Sequence, residues 1–247
     1  MPDTAPSRFP EIVPLGLDGL LVRFADRFAE DGNRAALAFR AAVEAAGLDG
    51  LRETSCSLGA TYLRFDPRQV PVERLEEQVT GLLEGRDWYH APLPAGRRLW
   101  SIPTVWGGAD GPQLDTVAAL AGVSAQEAVA MLSVARLRVM TIGFAPGLPY
   151  LGQLPEIWNL PRQTDLQTRV PPGALGLAVR QCVLFPAQTP TGWYHVARTA
   201  FRCFRPESGT PFPLRPGDEL TFPAVSAREI AALEGDPDGG ARCEVTG

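Results

Sequence analysis

Between Thr141 and Thr199 the chain crowds Gly and Pro between short apolar runs. The stretch opens T-I-G-F-A-P-G-L-P-Y-L-G (141–152), continues R-V-P-P-G-A-L-G-L-A-V-R-Q-C-V-L-F-P (169–186) and closes T-P-T-G-W-Y-H-V-A-R-T (189–199). Gly supplies positive φ, and Pro fixes φ while removing a backbone donor, so this composition builds tight turns between short strands. Rigid turns are also a platform for a site. Strands are expected near 136–144, 175–185, 193–204 and 218–225, which suggests a β-barrel or a sandwich.

Upstream the pattern changes. Residues 1–10 read as a loose tail, and Leu20–Phe24 as a strand. A helix is expected over 31–46, with Ala36, Phe39, Val43 and Ala46 on one face and Gly47 to end it. Strands follow at 51–57 and 60–65, and Pro71 opens a helix with Val72, Leu75, Val79 and Leu82 as its apolar stripe. The order β-α-β-β-α fits a ferredoxin-like unit, with a strand near 98–104 able to complete it. Residues 86–98 between them read as a linker. Two short helices fill 112–134: Pro112 opens the first, Gly122 turns the chain, and Ser124 with Glu127 forms a capping box. This pair resembles a helix-turn-helix, but its second helix offers mainly Gln126 and Glu127 to a base edge, which favours a packed hairpin. Ser226–Glu234 reads as a terminal helix, with a frayed end beyond it.

At 247 residues the chain can hold one large domain or two small ones. Its net charge of −5 argues against a nucleic-acid or anionic-membrane surface. All 23 basic residues are Arg. That excludes a Walker-A lysine, a Schiff-base lysine and a lysine base within this chain. No run approaches the length of a membrane span, and the first residues lack the apolar run of a signal peptide. Cys56, Cys182, Cys203 and Cys243 show no C-x-x-C spacing, as expected for reduced thiols in a cytoplasmic protein.

Cys182 and His195 could form a thiol–imidazole pair, although nothing in the spacing brings them together and Cys is commonly a small core residue. Two histidines and scattered cysteines do not make a zinc site, and His90 reads as a surface residue. Arg169, Arg180 and Arg198 could clamp a carboxylate or phosphate through paired donors, or could be solvated strand residues. Trp193 could line a pocket floor or fill the core. G-G-A-D-G-P (107–112) lacks phosphate-loop spacing and reads as a turn before a helix.

Several motifs resemble one family. W-G-G-A-D-G-P-Q-L (106–114) is similar to its Y-G-G-x-x-G-P-D-L, and G-F-A-P-G-L-P-Y-L-G-Q-L-P (143–155) to its G-F-x-P-G-F-P-Y-L-x-G-L-P. R-V-P-P-G-A-L-G-L-A (169–178) resembles R-V-P-A-G-S-V-G-I-A, and P-L-G-L-D-G-L-L-V-R-F (14–24) its first strand. The family is that of allophanate hydrolase subunit 1, or carboxyltransferase subdomains C and D, which includes the B subunit of 5-oxoprolinase, Kip-type kinase inhibitors and part of urea carboxylase. The resemblance covers roughly 11–225. It implies an α+β chain: a ferredoxin-like domain (11–95), then a cyclophilin-like β-barrel domain with the helical hairpin (96–225), then a terminal helix and tail (226–247). It implies a homologous carboxyltransferase-like second subunit, ATP used with that partner complex rather than by this chain alone, and a small amide or lactam substrate. The alternative is a protein that inhibits a sensor histidine kinase, and a peptidyl-prolyl isomerase is suggested by fold analogy only. Ligand contacts are expected from Arg169, Gln181, Arg198, Phe144, Pro146, Tyr150 and Trp193. The family's A-G-G-Q-T-G-I-Y-P stands here as A-V-R-Q-C-V-L-F-P (178–186). Val179 and Arg180 in place of Gly-Gly are expected to project into the pocket or to move the loop.

Overall fold

The computed structural model describes residues 9–164 and 167–246, so most of the expected tail, residues 1–8, lies outside it. The chain divides into two compact units between Ala95 and Gly96.

The first unit contains β1 (Glu11–Pro14), β2 (Gly19–Arg23), α1 (Glu30–Ala46), β3 (Leu51–Ser57), β4 (Ala60–Phe65) and α2 (Val72–Leu83). Its sheet runs β1-β2-β4-β3, with every neighbouring pair antiparallel. β2 and β3 therefore run parallel on either side of β4, joined through α1. The helical spacing of Ala36, Phe39 and Val43 on α1, and of Leu75 and Val79 on α2, lays these side chains onto Leu20, Val22, Phe24, Leu63 and Phe65. Two expectations are corrected here. The fourth strand is β1, tied to β2 by a 2.9 Å Arg23–Glu11 ion pair, whereas the 98–104 segment belongs to the second unit. Nor is 86–98 a bare linker: Trp88 is buried, its indole N–H donates to the Leu83 carbonyl at 3.1 Å, and its ring stands edge-on to Phe39. Burial of one large aromatic outweighs the local Pro and Gly.

The second unit opens with β5 (Arg97–Ser101) and β6 (Thr104–Trp106), followed by α3 (Leu114–Ala121) and α4 (Ala125–Val134). Then come β7 (Leu137–Ile142), β8 (Pro149–Gly152), β9 (Gln167–Val170), β10 (Ala174–Ala178) and β11 (Gln181–Leu184). β12 (Thr189–Thr191), β13 (Tyr194–Thr199), β14 (Glu219–Thr221), α5 (Ala227–Leu233) and β15 (Arg242–Thr246) complete it. Nine strands form one sheet in the order β15-β5-β14-β7-β8-β11-β10-β13-β6, and β9 pairs with β12 apart from it. The sheet curls until its far edge meets the chain leaving β14: Thr104 of β6 pairs with Thr199 of β13 and also bridges to Ala224. The Thr104 N–H donates to the Pro223 carbonyl, and its carbonyl accepts from Val225, both at 3.0 Å. These contacts cover the β6 edge, while β15 remains the edge strand at the other end.

Leu137, Val139, Leu151, Leu177, Val196, Leu220 and Phe222 fill the interior with Leu114, Val117 and Leu132 of the helical hairpin. The capping box is formed: Ser124 Oγ accepts from the Glu127 N–H at 3.2 Å and the Glu127 carboxylate accepts from the Ser124 N–H at 2.8 Å. No single helix among the described residues is long and apolar enough to cross a membrane. The frayed end is corrected as well. β15 pairs antiparallel with β5 over Arg97–Ser101, after a turn carrying positive φ at Gly239 and Gly240.

The largest correction concerns Val179 and Arg180. β10 and β11 form a hairpin closed by the Ala178–Gln181 pair, and Val179 (φ 43°) with Arg180 (φ 62°) are its two turn residues. Positive φ at both is the signature of a type I′ turn, which ordinarily selects Gly or Asn. Neither side chain lines the cavities formed by the described residues. Val179 is 41% exposed, and Arg180 donates to the Leu154 carbonyl and pairs with Glu156, both at 2.8 Å. The turn backbone is held by the crossing segment 154–160: Val179 N–H to Leu160 O at 2.7 Å, Arg180 N–H to Trp158 O at 3.0 Å. Left-handed backbone costs an L-residue with a Cβ about 1–2 kcal/mol, most for a β-branched one. Val179→Asn is therefore expected to stabilise the protein by about 1 kcal/mol, raising Tm by about 2–4 °C in a thermal melt. A lower Tm would contradict this account of the turn.

Candidate functional site

The cleft is built where residues 107–113 lie against β13. The Gly107 N–H donates to the Val196 carbonyl at 3.1 Å, and the Gln113 N–H to the His195 carbonyl at 3.0 Å. The His195 N–H returns a bond to Gln113 Oε1 at 2.8 Å. Gly111 permits this approach, since a Cβ there would stand 2.0 Å from the Val196 oxygen. Gln113 is then fixed from its other end: Nε2 donates to Gln163 Oε1 at 2.7 Å, and Gln163 Nε2 donates to the Trp193 carbonyl at 3.2 Å.

Ala109, Pro112 and Gln113 form one wall of a cleft of about 360 Å³, and Arg169, Val170 and Pro171 the other. Thr191, Trp193 and His195 complete it. Trp193 is both core and lining, 6% exposed, with the Tyr150 ring 6.1 Å behind it and the Arg162 guanidinium 5.6 Å over its face. Gly176 makes room for it, because a Cβ there would meet the Trp193 Cβ at 2.9 Å. Arg169 is exposed and, among the described residues, has no ion pair or hydrogen bond. His195 is only 7% exposed, and its Nε2 has no hydrogen-bond partner among the described residues. Burial pushes its pKa below the ordinary 6.5, opposed by backbone groups of Ala197 and Asp110 and by the Asp110 charge. The imidazole is thus neutral at pH 7. With its folded value depressed, the stability it contributes is complete above 6.5 and is lost as pH falls through the lower folded value.

Arg198 does not face this cleft. Its Nε meets Asp110 Oδ1 at 2.5 Å and its NH1 lies 3.5 Å from Glu234, and the Asp110 carboxylate raises its pKa. It borders a neighbouring cavity of about 550 Å³ with Pro172, Phe185, Phe201 and Arg202. The other expected contacts are distributed elsewhere. Phe144 is 82% exposed at φ 69°, and Pro146 is exposed beside it, in the turn between β7 and β8. That turn is closed by the Gly143 N–H to Leu148 carbonyl bond, and Gly147 packs where a Cβ would stand 2.4 Å from the Cys203 oxygen. The G-F-A-P-G motif is thus turn architecture. Gln181 closes the β10–β11 hairpin outside the cleft, and Tyr150 backs Trp193 without lining it.

The Cys182–His195 pair is not formed. Cys182 joins the interior cluster with Leu177 and Tyr194, and burial pushes its thiol up to about 12, whereas His195 lines the cleft. Gln113 and Thr191 are cleft residues that the motifs do not single out as ligand contacts. The one signal for Gln113 is its place after Gly111-Pro112, at the start of α3.

A curled β-sheet carries the cleft, with Trp193 in its lining and the Arg169 guanidinium without an ion pair among the described residues. The chain belongs to the family of the carboxyltransferase domain, subdomain C and D, which matches residues 10–214. It is 28% identical to the 5-oxoprolinase B subunit of Bacillus subtilis (strain 168) over 235 residues, 91% of this chain and 96% of that protein. It is 41% identical to the 5-oxoprolinase B subunit of Escherichia coli O157:H7 over 125 residues, 51% of this chain and 57% of that one. The solved structure of TTHA0988 is similar over 85% of this chain with a TM-score of 0.68 and 32% identity, and the match spans 40% of that longer chain.

Two outcomes follow from the placement of charges and thiols. Arg198→Ala leaves Asp110 without its partner and is expected to cost about 1–2 kcal/mol in urea unfolding, because the pair is only partly exposed. Unchanged stability would show the pair to be idle. Of the four thiols, Cys243 alone is exposed, while burial raises Cys56 to about 11 and Cys203 to about 12. A thiol-titrating disulfide reagent should therefore modify one group per native chain, and the other three only in denaturant.

Proposed function

We propose that this chain is one component of an ATP-dependent hydrolase that opens a small cyclic or linear amide, of the 5-oxoprolinase or allophanate-hydrolase type. The reading is carried by the similarity to a 5-oxoprolinase B subunit along 91% of the chain. It acts in the cytoplasm beside a homologous carboxyltransferase-like subunit. ATP is handled in that complex, since this chain has no lysine for a nucleotide phosphate. Its first unit is a variant of the ferredoxin-like arrangement, and its second a cyclophilin-like barrel.

The cleft supports the same reading. Arg169 offers planar paired donors to a carboxylate, and Trp193 adds an apolar aromatic side chain to the lining. Gln113 is held by three hydrogen bonds and cannot rotate away from its place in the wall. Among the described residues no nucleophile with an adjacent base lines the cleft, so the chain binds and orients while its partner supplies the remaining chemistry.

The test is reconstitution with the second subunit and an assay for ATP-dependent conversion of 5-oxoproline to glutamate. The complex should be active and this chain alone inactive. Arg169→Ala should raise KM by about tenfold with little change in melting, as expected for loss of a charge-assisted contact made by an exposed residue. Turnover by the isolated chain, or an inert complex, would overturn the reading.

A further inference from the structure

The cleft's side chains are unequal in what they offer. Gln113 Oε1 already accepts from the His195 N–H at 2.8 Å and from Gln163 Nε2 at 3.4 Å. Thr191 Oγ1 accepts from the Trp193 N–H at 3.1 Å, which leaves its hydroxyl proton to donate. Arg169 can only donate, and so can Arg162 above Trp193. His195 differs from all of these. It is more than nine-tenths buried, lines the cleft, and carries a ring nitrogen without a partner among the described residues. A neutral imidazole has one N–H and one lone pair. Backbone groups of Ala197 and Asp110 favour a proton on the ring, and a ring N–H turned toward them leaves the lone pair of the second nitrogen.

We propose that His195 is a specificity-determining hydrogen-bond acceptor, taking an N–H from a small ligand whose carboxylate is held by Arg169. The inference rests on the reading above only in its first choice of probe. An unpaired buried nitrogen costs free energy in the empty cleft, and a ligand N–H removes that cost, while a ligand lacking it leaves the cost in place. The charges around the ring do not take over this role. Asp110 is engaged by Arg198, whose own charge acts on His195 in the opposite sense. Protonation of His195 turns its acceptor into a donor, so preference for an N–H falls as pH drops through its folded value, which burial holds below the ordinary one.

The experiment is calorimetric titration of the full chain with two probe pairs that differ by one N-methyl group. The pairs are 5-oxoproline with N-methyl-5-oxoproline, and N-acetylglycine with N-acetylsarcosine. At a pH of about 7.5, above the ordinary histidine value, the wild type should prefer the N–H member by about tenfold, the size of one hydrogen bond to an otherwise orphaned group. As pH is lowered through the depressed folded value of His195, located by NMR titration of its ring, the preference should shrink, which a purely steric rejection of the methyl group would not do. His195→Leu should lose the preference while retaining affinity for the N-methyl member, and His195→Gln, which keeps an acceptor, should restore it. If the glycine pair behaves this way and neither lactam binds, the lactam reading falls and the role of His195 stands. A preference that survives in a folded His195→Leu protein, a preference unchanged across the titration of the His195 ring, or binding of none of the four probes would overturn the inference.

Discussion

The site depends on the close contact between the 107–113 segment and β13. Hydrogen bonds run from Gly107 and Gln113 to the β13 carbonyls, from His195 back to the Gln113 side chain, and from Arg198 to the Asp110 carboxylate. The spacing is set by Gly111, whose missing Cβ is replaced by the carbonyl of Val196. Any side chain there must push the segment off the strand. The Gln113 amide would then leave the cleft wall, and backbone groups now paired would be exposed to a poorly hydrated interior. A single glycine thus links barrel, hairpin helix and cleft, because backbone-to-backbone approach at this distance tolerates no other residue.

Charge pairing then distinguishes two neighbouring cavities. Asp110, carried on the same segment, neutralises Arg198 at the border of the larger one. Across Pro171, which lines both, Arg169 stands without an acid among the described residues. Two arginines in matched motifs therefore have different surroundings. One holds the segment through an ion pair, and the other has no acid beside it among the described residues. The distinction matters because a guanidinium already bound to two carboxylates has little left to offer a third.

The hairpin at Val179-Arg180 shows how a departure from a family motif can mislead. A Gly-Gly pair can serve close approach to a ligand or positive φ in a turn, and sequence alone does not separate the two. In this chain both φ values are positive, and the strain is borne by bonds donated to the Leu154, Trp158 and Leu160 carbonyls. Those acceptors lie about twenty residues upstream, so nothing local to the turn announces them. Phe144 is a similar case: its motif is specific, but what the motif specifies is a turn that leaves the ring in solvent.

Much of the chain is legible from local pattern. The stripes of α1 and α2, Gly47 after α1 with φ 58°, the Ser124–Glu127 capping box and the short strands of the Gly/Pro region all follow from spacing. Each is decided within a few residues by backbone sterics and side-chain periodicity. Composition by itself also settles which chemistry is closed to the chain, since a protein without lysine cannot use one. Tertiary structure decided the rest. It put β1 rather than 98–104 at the edge of the first sheet, and it returned residues 242–246 to β5. It separated Cys182 from His195, although both lie in one motif-rich stretch, by turning one into the barrel interior and the other into the cleft. Pairing partners and the face a strand presents depend on the register of distant strands, where a shift of one residue exchanges inside for outside.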